Sequence, residues 1–188
     1  MSPVTLVAYF AVGLVIVIVG FIVVASYNAV MSLRQRIDKA WANIDVVLKQ
    51  RHDQLPALVS AVRGVLAFDQ QVLTEVTQAR ARYSPTEPIP DKAVHSDATS
   101  AAVRSLFAVV EAYPELKSQQ NVLDLQDEIE RLESMIADRR ELYNDQVYRY
   151  NTRISTLPTL ALAGVFGWRP REFFAARPDE TVRPEMTL

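Results

Sequence analysis

Residue types that build chemical sites are scarce in this chain of 188 residues, which has no cysteine and only two histidines, His52 and His95. Without cysteine, the chain cannot form disulfides, thiolate zinc sites, iron–sulfur clusters or a cysteine nucleophile. No glycine-rich phosphate loop, GxSxG elbow or HExxH pair occurs in the sequence. The composition therefore favours binding or structural work without a metal or cofactor, and it disfavours an enzyme.

An excess of charge of one sign is also lacking. The chain has 20 Lys and Arg against 22 Asp and Glu, a net charge of -2, and an isoelectric point near 5.7. A protein held to nucleic acid by phosphate neutralisation needs a basic face or stripe, and none is evident. We expect no nucleic-acid partner.

Charge is absent altogether from residues 1–33. The core of this apolar stretch, residues 4–27, spans roughly 36 Å as a helix, enough to cross a hydrocarbon layer about 30 Å thick. A cleaved signal peptide is the alternative, but the stretch has no basic start and exceeds the usual apolar length of such peptides. The sequence predicts an uncleaved transmembrane helix over 4–27, after a short N-terminus of residues 1–3.

The direction of this helix follows from the charges beside it. No Lys or Arg precedes the apolar run, whereas Arg34, Arg36 and Lys39 follow it closely. Basic residues near a membrane segment resist translocation. We therefore expect the short N-terminus outside and the bulk of the chain in the cytoplasm.

Few turns are available beyond the membrane segment, because only three of the five glycines lie there. Apolar residues at steps of three and four predict amphipathic helices over about 28–55, 56–83, 98–113 and 121–157. Pro56 either begins a new helix or kinks a continuing one. Three prolines predict a surface loop over 84–97, in which Ser96 or Asp97 caps the next helix. The fold class is all-α: the membrane helix continues into an antiparallel up-and-down four-helix bundle over 28–157.

A polar seam runs along the first bundle helix. Asp38, Asp45 and His52 are seven residues apart and share a face beside Trp41. Such a seam serves either as a hydrogen-bonded packing device or as part of a carboxylate metal site. We favour packing, since neither histidine has a glutamate three residues before it.

The last bundle helix carries a short repeat. Tyr143 and Asn144 are echoed one heptad later by Tyr150 and Asn151. This spacing puts both tyrosines on the inner stripe, with both asparagines beside them. We expect them to join the polar and aromatic network of the bundle, with a contact surface for another helix as the alternative.

Residues 158–188 form an aromatic C-terminal segment and tail. If alternate helices return to the bilayer, the fourth helix brings this segment back to the membrane. Aromatic rings and arginines suit the headgroup level. A cap over the end of the bundle is the alternative. The candidate contacts with the membrane interface or with a partner are Phe166, Trp168, Arg169, Arg171, Phe173 and Phe174.

These residues give the chain a resemblance to the LemA family of bacterial single-pass membrane proteins. The similarity lies in LRQRIDKAWANID at residues 33–45 and EAYPELK at 111–117. It continues through the Tyr-Asn repeats to Phe173 and Phe174.

The resemblance implies a bacterial inner-membrane protein with a short external N-terminus and a bromodomain-like up-and-down four-helix bundle. It implies no established enzymatic activity and provides no catalytic residues. It also implies membrane partners, either a membrane metalloprotease or a TPM-domain protein.

The resulting hypothesis is a non-enzymatic, membrane-anchored helical scaffold or adaptor that binds other membrane proteins or forms a homo-oligomer. A carboxylate-metal enzyme or metal-binding bundle is one alternative. A membrane sensory or signalling subunit is another, and the short predicted external segment disfavours it.

Overall fold

The structure is a computed structural model that describes residues 3–63, 70–82, 84 and 86–175. Within these residues it is all-helical and has no strand. Residues 64–69 and 83 of the predicted second helix and residues 176–188 of the predicted C-terminal segment and tail lie outside the described residues. The helices are α1 (Pro3–Arg63), α2 (Gln70–Ala81), α3 (Ile89–Ala112), α4 (Pro114–Lys117), α5 (Gln120–Ile154) and α6 (Thr159–Phe166).

The first part of α1 is the one described segment that is long and apolar enough to cross a membrane. Its most apolar 18-residue window has a mean hydropathy of 3.0, and none of that window is buried by the protein. From Val4 to Val24 the large apolar side chains lie on the surface. An apolar helix without protein packing is typical of a segment surrounded by lipid.

The chain divides into two compact units. The first unit contains residues 1–39 and 145–171, and the second contains residues 40–144 together with those that follow 171. Both α1 and α5 contribute residues to each unit.

The second unit has a continuous apolar core. Side chains from α1, α2, α3, α4 and α5 contribute to it, and most of them are fully buried. Burial of these side chains supplies the main driving force for packing the helices. The largest contributors are Leu55, Leu58, Leu106, Leu116 and Ile129.

Pro56 lies inside α1, which continues to Arg63 instead of ending near residue 55. Proline has no backbone N–H, so the carbonyl of His52, four residues earlier, loses its usual helical donor. The Nε atom of Arg80 on α2 donates to that carbonyl at 3.3 Å. A side chain from the neighbouring helix thus occupies the acceptor that Pro56 releases.

Helix α3 begins earlier than predicted, because residues 89–97 are helical and not part of a surface loop. Pro88 is the N-cap residue, and Pro90 lies in the first turn. Proline is tolerated there because first-turn N–H groups have no partner within the helix. Ser96 is consequently not a cap but a buried residue inside α3. Pro88 and Pro90 thus mark a helix start, and within the predicted loop only residues 84 and 86–88 are described as non-helical.

Helix α5 ends at Ile154, three residues before the predicted end. The residue before a proline avoids helical dihedral angles, and Leu157 precedes Pro158 through a cis peptide bond. The apolar residues after Pro158 form a separate short helix, α6.

The Arg80 contact predicts a coupling with Pro56. Replacing Arg80 by Met should lower the free energy of unfolding by about 1 kcal/mol, because a partly buried carbonyl loses its donor. In a Pro56→Ala background the same replacement should cost much less, since the amide of residue 56 can then serve that carbonyl. Thermal unfolding in detergent, followed by circular dichroism, measures both effects.

The exposed Arg82 provides the control, because Arg82→Met removes an equal charge from the same part of the chain. Equal losses for Arg80→Met in both backgrounds would contradict this role of Arg80.

Candidate functional site

Trp41 on α1 lies at the centre of an aromatic cluster in the second unit. Its ring centroid is 5.7 Å from that of Tyr143 and 5.7 Å from that of Phe174. The Lys92 ammonium lies 5.1 Å from the centre of the Trp41 ring and 2.7 Å from Oδ1 of Asp45. Lys92 is only 4% exposed. A buried cation is thus held by a carboxylate and an aromatic face together.

Asn144 fixes the extended segment that follows residue 171. The Phe174 backbone N–H donates to Oδ1 of Asn144 at 2.9 Å, and Nδ2 of Asn144 donates to the Phe174 carbonyl at 3.3 Å. The Tyr143 hydroxyl donates to the Glu172 carbonyl at 2.9 Å. A single amide thereby satisfies the donor and the acceptor of one backbone residue.

A second asparagine, one heptad later and within the first unit, also binds the N–H and the carbonyl of a single backbone residue. The Arg171 N–H donates to Oδ1 of Asn151 at 2.8 Å, and Nδ2 of Asn151 donates to the Arg171 carbonyl at 3.0 Å. Tyr150 is 2% exposed. The Tyr-Asn repeat therefore places a buried ring beside an amide that binds backbone.

Phe174, one of the candidate contact residues, is buried within the second unit. It has no exposed surface, and it lies 5.5 Å from the guanidinium of Arg140. The Nε atom of Arg140 also donates to the Phe174 carbonyl at 2.9 Å. The protein itself therefore encloses the Phe174 ring.

Arg51 forms a second polar network, which the sequence reasoning missed. Its Nη1 donates to Oε1 of Glu133 at 2.7 Å and to the Ser100 hydroxyl at 2.8 Å. Its Nη2 donates to the Ser96 hydroxyl at 3.0 Å. Arg51 is only 3% exposed. The network ties α1, α3 and α5 together through one buried guanidinium.

A signal for Arg51 was present in the sequence. The inner stripe of α1 contains Ile44, Leu48 and Leu55, with a gap of seven after Leu48, and Arg51 fills that gap at the steps of three and four. A charged residue on an apolar stripe indicates a buried, paired charge.

The residues of the predicted polar seam have separate partners. Asp38, in the first unit, is 65% exposed in its side chain and lies 3.5 Å from Arg171. Asp45 pairs with Lys92, and His52 lies beside Asp53.

The surface pair beside His52 also shows how local contacts act on a carboxyl group. The pKa of Asp53 is lowered, first by its hydrogen bond to Lys49 and then by that to the His52 ring.

Among the described residues, no group of three or more His, Asp or Glu side chains could hold a metal ion.

The remaining predicted contact residues vary in exposure. Trp168 is 7% exposed, whereas Phe166 and Phe173 are 40% and 42% exposed. Arg169 is exposed and Arg171 is partly buried. Other residues of the protein thus cover most of the Trp168 side chain, whereas Phe166 and Phe173 are accessible.

A cleft of about 520 Å³ opens beside the Arg51 network. It is lined by charges of both signs, among them Asp97, Arg104 and Arg140, and Arg140 is paired with Asp97 at 2.7 Å. Paired charges of this kind hold helices together and can orient a polar partner.

The fold and these contacts define an all-helical protein in which, among the described residues, one helix is able to span a membrane. The buried Arg51 and Lys92 each pair with a carboxylate on another helix. The chain belongs to the LemA family, whose family model matches residues 40–187.

Similarity to individual proteins extends over different lengths. The chain is 27% identical over 148 residues to Protein LemA of Metamycoplasma hominis, covering 76% of this chain and 66% of that protein. It is 35% identical over 77 residues to Magnetosome proteins MamQ 1 and MamQ 2 of Paramagnetospirillum magneticum. That match covers 41% of this chain and only 28% of the length of each MamQ protein.

Breaking the Arg51 network should destabilise the protein strongly. Arg51→Met leaves Glu133 without its charged partner and should lower the free energy of unfolding by about 3 kcal/mol, the usual size for a broken buried pair. The double variant Arg51→Met with Glu133→Met should lose clearly less than the two single variants combined. Chemical unfolding in detergent measures the cycle.

Lys49→Met is the matched control, because Lys49 forms an exposed ion pair on the same helix. It should leave stability nearly unchanged. Strict additivity of the Arg51 and Glu133 replacements would contradict the network.

Proposed function

We propose that this chain is a non-enzymatic, membrane-anchored helical scaffold or adaptor that binds other membrane proteins or self-assembles. The observation that carries the proposal is the exposed apolar part of α1, which is attached to helices whose buried charges are already paired. Such helices can present a defined surface while the apolar segment keeps them at the bilayer.

The use of the polar side chains supports a binding role. Arg51, Lys92 and Glu133 each contact a residue on another helix, and Asn144 holds backbone. These groups are engaged in contacts within the protein, and two of them, Glu133 and Asn144, also line the cleft beside the Arg51 network. The names of the relatives state no reaction.

The proposed orientation places the N-terminus outside and the bulk of the chain in the cytoplasm of a bacterial cell with α1 in the inner membrane. Arg34, Arg36 and Lys39 follow the apolar run, and basic residues are retained on the cytoplasmic side. The helices of the bundle would then be arranged up and down, and the bundle would meet its partners at the inner face of the membrane.

The proposed partners are membrane proteins, including a membrane metalloprotease or a TPM-domain protein, or further copies of this chain. Two exposed apolar side chains in the second unit offer contact points on helices: Val46 on α1 is 57% exposed, and Leu142 on α5 is 50% exposed. Exposed apolar residues on otherwise charged helices suit a helix–helix contact.

Photo-cross-linking in cells tests this function. A photoreactive amino acid at Val46 or Leu142 should give a discrete adduct with one membrane protein or with a second copy of the chain. The adduct should also be recovered in near-stoichiometric amount after extraction in mild detergent. Mass spectrometry identifies it.

The same amino acid at Glu111, an exposed position on α3, is the control for random encounters. The proposal would be contradicted by equal, diffuse cross-linking from all three positions together with a monomeric protein in detergent. Stoichiometric iron, manganese or zinc in the purified protein would instead support the metal-binding alternative.

A further inference from the structure

Helix α6 exposes apolar side chains that the other described residues do not cover. No charged residue occurs between Arg153 and Arg169. Within this stretch Leu160 is 52% exposed and Val165 is 79% exposed, and Leu157 just before α6 is 75% exposed. Apolar side chains grouped along one short helix indicate a contact surface and not a core helix.

The position of α6 within the first unit indicates what this surface meets. Tyr27 is the last residue of the apolar run in α1, and its ring centroid lies 5.3 Å from that of Phe166 and 6.2 Å from that of Trp168. Phe166 and Trp168 stack on each other at 5.0 Å. The end of α6 therefore lies beside the end of the membrane-spanning segment.

Near Tyr27, α1 also passes from mostly exposed side chains to side chains that pack against protein. Val24 is 58% exposed, whereas Ser26 and Val30 are 2% and 0% exposed. Tyrosine and tryptophan favour the boundary between headgroups and hydrocarbon, because their rings are apolar and their polar atoms remain near water. The three-ring cluster of Tyr27, Phe166 and Trp168 has the composition of this boundary.

The turn after α6 keeps the ring cluster together. Gly167 ends the helix with a φ of 65°, a left-handed conformation that glycine adopts without strain. The Trp168 N–H donates to the Ala163 carbonyl at 2.9 Å, which closes the turn. Arg169 is exposed directly after it, where a cation can reach lipid phosphates.

Helix α6 is too short to span the bilayer. Its eight residues extend about 12 Å, far less than the roughly 30 Å of a hydrocarbon core. A short apolar helix of this kind can be buried only to the depth of the interface.

From these observations we infer that α6 is a second membrane contact, embedded in the interface of the leaflet in which the α1 span ends. Leu160, Val165 and the preceding Leu157 enter the hydrocarbon edge, while the ring cluster lies at the headgroup level. The inference rests on the proposed membrane anchor, and it gives the C-terminal part of the chain its own contact with lipid. The protein is then held to the bilayer at two points in its sequence.

Spin labels on single cysteines test this directly, because the chain has no cysteine of its own. The full-length protein is reconstituted into vesicles of phosphatidylethanolamine and phosphatidylglycerol. Labels at Leu160→Cys and Val165→Cys should collide often with oxygen, which concentrates in lipid. They should collide several-fold less often with a water-soluble nickel chelate than a label at Ala108→Cys, an exposed position on α3.

A label at Val15→Cys, exposed within the apolar run, tests the anchor independently. If Val15→Cys reports lipid while Val165→Cys reports water, the inference about α6 is wrong and the anchor stands. If both report water, the anchor and the inference fail together. Protection of Val165→Cys from both reagents would also overturn the inference, because it would show that protein, such as a second copy, covers α6.

Discussion

The placement of α1 depends on the absence of charged residues from positions 1–33, before Arg34. Burial of a valine, leucine or phenylalanine side chain is worth about 1.5–3 kcal/mol. Many such side chains between Val4 and Val24 are exposed, so leaving this segment in water would cost tens of kcal/mol. A lipid environment removes that cost, and the helical hydrogen bonds satisfy the backbone there. The level at which α1 leaves the membrane then determines which residues, beginning with Ser26, can pack against protein.

The helices beyond the anchor are specified by buried polar contacts as well as by apolar burial. Apolar stripes allow helices to slide or rotate against one another, whereas a buried Arg51 is satisfied only where Glu133, Ser96 and Ser100 converge. The buried Lys92 is likewise satisfied only where Asp45 and the Trp41 ring lie beside it. Such contacts favour one packing arrangement over the others, because alternatives would leave a buried charge unpaired. A single, well-defined surface is what an adaptor needs to present to a partner.

The sequence predicted the all-helical class and the apolar segment because periodicity and hydropathy are local properties. The heptad spacing placed Tyr143 and Tyr150 on the inner stripe with the asparagines beside them, and both tyrosine rings are buried. The sequence did not predict that Asn144 and Asn151 bind backbone at Phe174 and Arg171, since those contacts join residues 20 to 30 positions apart. The start of α3 was missed because Pro88 and Pro90 suit a loop and a first helical turn equally well. The two alternatives at Pro56 stayed open because the contact between Arg80 of α2 and the His52 carbonyl joins different helices, so no local pattern of α1 can show it.

In the proposed topology, α1 anchors the chain with its N-terminus outside and its helical part in the cytoplasm. The most direct test is labelling of single-cysteine variants in intact cells with a thiol reagent that cannot cross the inner membrane. A cysteine at Ser2 should react in intact cells, whereas one at Ala108 should react only after the membrane is permeabilised. Reaction of Ala108→Cys in intact cells, with Ser2→Cys protected, would reverse the orientation. Equal reaction of both in the soluble fraction of lysed cells would contradict the anchor itself.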